Sequence, residues 1–398
     1  MKEPIRKVTH KDGRTRFRLV VDIGVDDDGK RRQLTRTFDT KKEALGELSR
    51  IRHQMRQGTF VAPSAMTVDE LLDVWLASAT RDVEEGTASN YDSAIRPVRT
   101  HLGGKKIQTL TEEDVEGLVD WMLTSGRRRG GQPGSGLGVR SVRLTLGRLR
   151  SALNLAVRRQ WVVRNVAEHA TISREAKRKA DAHKARNAPW SETEVKTFLA
   201  AIREDRLYAA MMLALIANRP AEVCGARWED VDLDGAGTIT IDNTRTIVYD
   251  RTRDKGDRNK VVEKGTKTEA GRRTLPLPVP VRKALRAFNA QQAQERLKAG
   301  AAYSHSGYLL VDETGHPWKT DKLRREAYKL MAAAGVRKVR LYDARHACLS
   351  WMANNGVPDT VVSAWAGHSD LSFTKRTYVH PDPESLRAGS KKLKKLLG

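Results

Sequence analysis

The chain has 398 residues, of which 39% are hydrophobic, so it is long enough for two or three domains with cores of their own. Its formal net charge is +24 and the basic residues are spread along the whole length, which predicts a polyanionic partner, above all nucleic acid. A membrane protein is disfavoured, because no apolar run could span a bilayer and no lipidation motif accompanies the charge.

Cysteine usage and the first residues favour a cytoplasmic location. Cys224 and Cys348, the two cysteines, lie in no spacing typical of a metal site and cannot build a disulfide framework. The segment Met1–His10 is charged and lacks the apolar core of a signal peptide. We therefore expect reduced cysteines, no metal site and a protein that acts on nucleic acid in the cytoplasm.

Residues 1–62 predict a small module of sheet and helix. Segments that alternate basic and apolar residues flank the turn Asp26–Gly29, which predicts a β-hairpin. Thr40 is the predicted N-cap of a helix that runs to about Gln57. One face of the strands would carry basic side chains suited to phosphate contacts, although a solvated sheet edge is the alternative. These candidates for DNA contact are Arg14, Arg16, Arg18, Arg32 and Arg36.

Residues 63–172 predict an all-helical domain. Thr67 opens an amphipathic helix through Trp75, and the later helices are predicted over Thr87–Leu102, Thr111–Ser125 and Ser141–Arg159. The loop at 126–138 is rich in glycine and arginine, which predicts a mobile segment close to DNA.

Residues 173–189 predict a basic linker, because Lys, Arg and Ala dominate and little can be buried. Lys177 and Lys179 are candidates for phosphate contacts there, whereas the alternative is a helix whose charges only face solvent. Residues 190–398 then predict the largest domain, an α+β domain that begins with a clear helix start at Ser191.

The last domain contains residues suited to breaking a phosphodiester by a protein hydroxyl. Arg219 lies where one helix ends and another begins, one turn from Glu222, which can hold its guanidinium. A planar fork in that position suits two phosphate oxygens.

A lysine and a later group of residues complete the constellation. Lys267 lies between strands predicted at 237–241 and 272–277 and could protonate a leaving oxygen, with Lys264 as the alternative. Arg345 and His368 follow on predicted helical segments, and Tyr378 lies near the end of a short helix or on the loop after it. The order of these residues is hard to obtain by chance.

The motifs quoted above resemble those of the tyrosine recombinases, and the three-part organisation resembles the lambda-type phage integrases. The resemblance covers essentially the whole chain and is most specific in the last domain. It implies a multidomain, mainly α protein with an arm-binding domain of a three-stranded β-sheet plus a helix, a helical SAM-like core-binding domain and an α+β tyrosine recombinase catalytic domain. The catalytic residues that it implies are Arg219, Lys267, Arg345, His368 and Tyr378.

Tyr342 departs from the family pattern, which usually reads His-x-x-Arg across residues 342–345. A phenol with a reference pKa of about 10 is a poor base near neutrality compared with an imidazole of about 6.5. We therefore expect Tyr342 to donate a hydrogen bond to the scissile phosphate. The acceptor of the nucleophile's proton is left open between His368 and water held by Tyr342.

The resemblance implies a site-specific recombinase that integrates or excises a temperate phage genome or a related element. Tyr378 would form a 3′-phosphotyrosyl link while arginines stabilise the charge, so no metal, ATP or other cofactor is expected. The implied partners are double-stranded DNA with core and arm attachment sites and four copies of the chain on that DNA. A DNA-bending host factor and an excisionase are further candidates.

Two rival functions share some of these features. A type IB topoisomerase would use the same chemistry to relax DNA without exchanging partners, and the N-terminal module argues against it. A DNA-binding regulator that no longer cuts would keep the fold, and Tyr342 is the one departure that supports it.

Overall fold

The computed structural model describes residues 4–9, 14–25, 31–128, 131–186, 189–250, 253–254, 258–265, 271–368 and 370–372. The chain divides into two compact units, Met1–His183 and Lys184–Gly398. Helices dominate both units and the strands form small sheets, which confirms the predicted mainly α fold. None of the described helices is long and apolar enough to cross a membrane.

The first unit begins with a three-stranded antiparallel sheet followed by a helix, as predicted. The strands lie in the order β1-β2-β3, so β2 is central. Thr40 and Glu43 form a capping box that starts the helix, because each side chain hydrogen-bonds the backbone N–H of the other residue. The elements are β1 (Ile5–Thr9), β2 (Thr15–Val25), β3 (Arg31–Phe38) and α1 (Lys41–Arg56).

A small apolar core lies between this sheet and α1. Leu19 and Val21 of β2 point to the same face of the sheet and pack with Leu48 and Ile51 of the helix. Leu45, which helical periodicity places near the same helix face, is instead exposed. Among the described residues, α1 packs against this face of the sheet.

A four-helix segment with its own core makes up most of the first unit. Thr67 and Thr111 begin their helices through capping boxes with Glu70 and Asp114, which explains why these starts are predictable from sequence. Buried Trp75 donates its indole N–H to Ser151 Oγ at 3.0 Å. The helices are α2 (Val68–Ala79), α3 (Glu85–Leu102), α4 (Glu112–Thr124) and α5 (Val139–Arg158).

Hydrogen bonds join the two described ends of the loop between α4 and α5. Arg127 donates two hydrogen bonds to the Gly136 carbonyl, at 3.2 and 2.8 Å. A Cβ at Gly136 would lie 1.8 Å from the Leu123 carbonyl oxygen, so only glycine fits this close approach. Residues 129 and 130 lie outside the described part.

The predicted basic linker contains a helix, α6 (Arg174–Arg186). Lys177 and Lys179 are exposed on it, and Lys179 pairs with Glu175 one turn earlier at 2.6 Å. Both lysines are thus exposed on a solvated helix, and their contact with phosphates stays a prediction.

The second unit surrounds a buried helix with further helices and two small sheets. Its helices are α7 (Glu192–Ala201), α8 (Tyr208–Leu215), α9 (Pro220–Gly225), α10 (Val279–Ala299), α11 (Thr320–Ala333), α12 (Leu341–Asn354) and α13 (Asp359–Ala366). Its strands are β4 (Val231–Asp232), β5 (Thr238–Ile241), β6 (Asn243–Tyr249), β7 (Asn259–Gly265) and β8 (Arg273–Pro276).

The strands form two separate sheets. β5 and β8 pair antiparallel, as predicted from the two strand patterns, and β4 completes that sheet. The segment between β5 and β8 is more than a turn, because β6 and β7 form a second antiparallel hairpin within it. Lys264 lies on β7, whereas Lys267 follows it outside the described residues.

Helix α8 positions the site, because it is apolar on all sides and almost every residue of it is buried. It packs in the main core of the unit together with Phe198, Leu285 and Leu323. The chain therefore leaves the core at the end of α8 and turns directly into α9, which fixes the backbone on which Arg219 lies.

Candidate active site

The structure describes four of the six predicted catalytic residues, and all four belong to one polar cluster in the second unit. Arg219, Tyr342, Arg345 and His368 are connected by hydrogen bonds and charge interactions. Lys267 and Tyr378 lie outside the described residues, so their placement in the site stays a prediction.

A tight turn delivers Arg219 to the site. Ala217 has a φ of 76°, in the left-handed region that residues with a Cβ rarely adopt. Arg219 is extended and serves as the N-cap of α9, with Pro220 at the first helical position, where its missing N–H costs nothing.

Glu222 holds Arg219 by both its side chain and its backbone. One carboxylate oxygen accepts from the Arg219 Nη1 at 2.5 Å, and the other accepts from the Arg219 backbone N–H at 2.7 Å. Burial by itself would lower the pKa of Arg219, but the charge of Glu222 and, to a smaller extent, the nearby Tyr342 outweigh burial and raise the pKa. The Arg219 side chain remains 32% exposed, so part of its fork can still meet a ligand oxygen.

Arg273 is a functional candidate that the sequence patterns missed. It lies on β8 and donates to both carboxylate oxygens of Glu222, at 3.2 and 2.9 Å. Its Nε donates to the Trp365 carbonyl of α13 at 2.8 Å. Glu222 is therefore shared between two guanidinium groups that come from distant parts of the unit.

The charges around Glu222 keep it ionised although it is buried. Burial by itself would raise the pKa of its carboxyl, but the hydrogen bonds and charge of Arg273 and the charge of Arg219 outweigh burial and lower the pKa. A carboxylate with two cations leaves an excess of positive charge at this point of the site.

Arg345 lies at the centre of the cluster and is 0% exposed. It comes from α12, and its guanidinium donates to the carbonyls of Ala217 and Ala366. A further contact joins Arg345 Nη2 to His368 Nε2 at 3.1 Å. Burial and the nearby Arg219 lower the pKa of Arg345 to about 10, so it is still a cation at neutral pH.

A glycine-terminated helix end places His368. Gly367 has a φ of 63°, and the N–H groups of Gly367 and His368 bond to the carbonyls of Ala364 and Ser363. This resembles the hydrogen-bond pattern of a Schellman motif, which favours glycine at the left-handed position. His368 therefore lies just past the end of α13, and not within a helix as predicted, and this helix end aims its imidazole at Arg345.

His368 is a neutral ring in this arrangement. Arginine can only donate, so the contacting Nε2 must accept and the ring proton lies on Nδ1. Burial, followed by the charges of Arg345 and Arg219, lowers the pKa of His368 to about 4. The ring can therefore donate through Nδ1 at neutral pH.

His346 is a second imidazole in the cluster that the sequence patterns did not single out. It lies one turn after Tyr342 on α12, and the two rings meet edge to face with centroids 5.1 Å apart. Burial lowers the pKa of His346 below its usual value. The proximity of Tyr342 and His346, at positions i and i+4, could have been found from helical periodicity.

The cluster as a whole suits an anionic ligand. Arg219, Arg273 and Arg345 contribute three cations against the single carboxylate of Glu222. Donors held in fixed positions stabilise a phosphate most in the transition state, in which negative charge grows on its oxygens. Among the residues that the structure describes, no group of His, Cys, Asp and Glu could hold a metal ion.

The basic candidates of the N-terminal sheet occupy two faces, so the prediction of a single face is wrong. Arg18 lies opposite Arg6 and Thr37 in the strand register, on the face away from α1, and Arg16, two residues earlier, shares that face. Arg36 lies opposite Leu19 and binds Glu47 of the helix.

Strand alternation assigns the remaining two arginines. Arg14 precedes β2 with the same parity as Arg16 and Arg18, and Arg32 shares the face of Arg36. The open face, defined by Arg6, Arg16 and Arg18, therefore remains the candidate DNA-contacting surface of this module.

Two stretches of the chain match families of known proteins. Residues 190–385 match the phage integrase family, and residues 67–123 match the N-terminal SAM-like domain of phage integrases. The chain is also similar to a protein from Caldanaerobacter subterraneus named tyrosine recombinase XerC-like, with 25% identity over 385 residues and 94% of each chain covered. All six predicted catalytic positions fall within residues 190–385.

Solved structures with a similar fold include two integrases bound to DNA. The integrase of transposon Tn1549 in complex with a circular intermediate DNA matches with a TM-score of 0.64 and 19% identity, covering 82% of this chain and 99% of that one. A lambda integrase tetramer bound to a Holliday junction matches with a TM-score of 0.53 and 14% identity, covering 93% and 96%. At these identities the likeness is one of fold.

Proposed function

Because the chain belongs to the phage integrase family of tyrosine recombinases, we propose that it exchanges DNA strands at specific sites through a covalent link to Tyr378. The observation that carries the proposal is the cluster in which Arg219, Arg345 and His368 lie together, with the Arg219 side chain partly exposed. Integration and excision of a temperate phage genome or a related element is the process that this chemistry serves.

The proposed reaction exchanges one phosphoester for another. The Tyr378 oxygen attacks the scissile phosphorus and the bond to the 5′ oxygen breaks, which leaves the 3′ end on the tyrosine. Lys267 gives a proton to the leaving 5′ oxygen, and the phenolic proton of Tyr378 passes to a base. Attack by the 5′ hydroxyl of a partner strand reverses these steps and rejoins the DNA.

The arginines stabilise the charge that grows on the non-bridging oxygens. Arg219 is partly exposed and can meet the phosphate directly. Arg345 is fully buried, so a phosphate can reach it only after a neighbouring group moves. DNA binding and a rearrangement around Arg345 are therefore coupled in this proposal.

Two neutral imidazoles are candidates for the base. A pKa of about 4 makes His368 a weak base near neutrality, and its Nε2 is occupied by Arg345. His346 lies beside Tyr342, so a proton could reach it through the Tyr342 hydroxyl or a water bound there. Tyr342 itself would donate a hydrogen bond to the phosphate.

The remaining regions supply DNA binding. The helical segment within residues 63–172 and the catalytic domain would bind the core site, and the open face of the N-terminal sheet would bind a separate arm site. Lys177 and Lys179 would add phosphate contacts. Strand exchange between two duplexes needs four cleavages, and four copies of the chain would supply them, assisted by a DNA-bending factor and an excisionase.

A strand-exchange assay tests this function against relaxation alone. Two duplexes carrying the directly repeated sequences that flank the element would be incubated with the protein, and a supercoiled plasmid with the same site would be followed in parallel. We expect recombinant duplexes without metal or ATP. Relaxed plasmid without recombinant product would instead support the topoisomerase alternative, and DNA binding without either product would support a regulator.

A further inference from the structure

We propose that Arg273 is a positioning residue that balances the charge of Glu222 and so leaves Arg219 with a net positive charge toward the scissile phosphate. This inference rests on the proposed function, because it concerns how the same site binds a phosphate. Arg273 would act through Glu222 and Arg219 and would not touch the DNA.

Burial separates the role of Arg273 from that of Arg219. The Arg273 side chain is 6% exposed, whereas the Arg219 side chain is 32% exposed. The Arg273 guanidinium donates to three protein groups, which are the Glu222 carboxylate, the Trp365 carbonyl and the Gly271 carbonyl. A phosphate can therefore meet Arg219 while Arg273 stays beneath it.

The charges around the Glu222 carboxylate determine how much positive charge Arg219 can offer to a phosphate. With Arg219 as its sole partner, Glu222 would form a neutral pair and cancel much of the charge that Arg219 offers to a phosphate. Arg273 contributes a second cation, with its Nη2 at 2.9 Å from Oε2 of Glu222. The group of three then carries a net positive charge, with its exposed part on Arg219.

The same contacts also fix geometry. Arg273 joins β8 to α13 through the Trp365 carbonyl, and α13 ends at Gly367 and His368. It also donates to the Gly271 carbonyl, two residues away, at 3.1 Å. One buried guanidinium thus connects Glu222, the residue that holds Arg219, to the end of α13 that precedes His368.

A second substitution, at Glu222, should rescue the loss of the Arg273 charge. Arg273→Met leaves Glu222 to neutralise Arg219, so the rate of single-turnover cleavage should fall by about tenfold or more, a smaller loss than the roughly hundredfold typical of a direct donor. Adding Glu222→Gln removes the carboxylate charge and should restore much of that rate. DNA affinity should change little, since Arg219 keeps its position at the surface.

The experiment compares Arg273→Met, Glu222→Gln and the double variant on a nicked suicide duplex, with thermal unfolding and DNA binding measured for each. Arg272→Met is the matched control, because the adjacent Arg272 side chain is 69% exposed and lies 3.5 Å from Asp242, outside the cluster. It should cleave like the wild type. A double variant as slow as Arg273→Met, or slower, would overturn the inference, as would a loss in Arg273→Met that only follows unfolding. If the wild type itself forms no adduct, the proposed function fails instead.

Discussion

Arginines are used in opposite ways in the second unit and in the N-terminal sheet. In the second unit Arg345 is 0% exposed and Arg273 is buried, and both are held by carbonyls or a carboxylate. On the open face of the sheet, Arg6 and Arg18 are exposed and lie side by side in the strand register. Buried, fixed cations suit a charge that develops during a reaction, whereas exposed cations suit affinity that varies with salt.

Salt screens the exposed charges of the sheet more than the buried charges of the second unit. Exposed charges farther apart than about 10 Å are largely screened at 0.1 M salt, whereas buried charges are screened much less. Substitutions in the buried cluster should therefore change cleavage rates at constant affinity. Substitutions on the open face should change affinity and its salt dependence at a constant cleavage rate.

The largest effect is expected for Arg345→Lys. An ammonium cannot bridge the Ala217 and Ala366 carbonyls and still contact His368, so cleavage should fall by about a hundredfold or more. Single-turnover cleavage measures the loss, and DNA binding should be retained. Arg340→Lys, an exposed arginine at the start of the same helix, is the control. Equal losses in both variants would remove the distinction between buried and exposed arginines.

The next effect concerns the open face. Replacing Arg16 and Arg18 together by alanine should weaken arm-site binding and lower the slope of log K against log salt by about one for each phosphate that is no longer neutralised. Arg32→Ala on the helix-side face is the matched control and should bind as the wild type does. Binding titrations at several salt concentrations decide this, and an unchanged salt slope in the double variant would exclude the open face from DNA contact.

Tyr342 should show a smaller effect on cleavage. Its hydroxyl is proposed to donate a hydrogen bond to the scissile phosphate, so Tyr342→Phe should slow cleavage only a few-fold, by about 1 kcal/mol of transition-state stabilisation. Tyr342→His should be tolerated, because an imidazole can donate the same hydrogen bond. Cleavage by Tyr342→Phe at the wild-type rate would mean that the hydroxyl has no part in the reaction.

The smallest effect is expected at the turn that supports both Arg219 and Arg345. Ala217 adopts a φ of 76°, so Ala217→Gly should raise the free energy of unfolding of the second unit by about 0.5–1 kcal/mol. The gain is limited because the unfolded chain becomes more flexible. Urea unfolding measures it, and Ala214→Gly within α8 is the destabilising control. A less stable Ala217→Gly variant would show that the Cβ contributes more by packing than it costs in strain.

Local signals in the sequence predicted most of the fold and part of the site. The capping residues Thr40, Thr67, Thr111 and Ser191 mark helix starts through contacts three residues away, so a short window contains the information. Arg219 and Glu222 were predictable for the same reason, since they lie one helix turn apart.

Long-range contacts were not predictable from such windows. Arg273 meets Glu222 across 51 residues of sequence, and no local pattern marks that pair. In the sequence, the hairpin of β6 and β7 lies between β5 and Lys267. The strand pattern predicted only the strands on either side of this segment, without the hairpin. The arginines of the N-terminal sheet were assigned to one face because residue type alone does not give the strand register, and register decides the face.

The proposed function depends on a covalent bond between Tyr378 and DNA. A nicked suicide duplex containing the attachment site traps such a bond, because the released fragment diffuses away before religation. We expect an adduct with the wild type and with Tyr328→Phe, a control tyrosine on α11, and none with Tyr378→Phe. An adduct that persists in Tyr378→Phe, or no adduct from the wild type on its own site, would contradict the account.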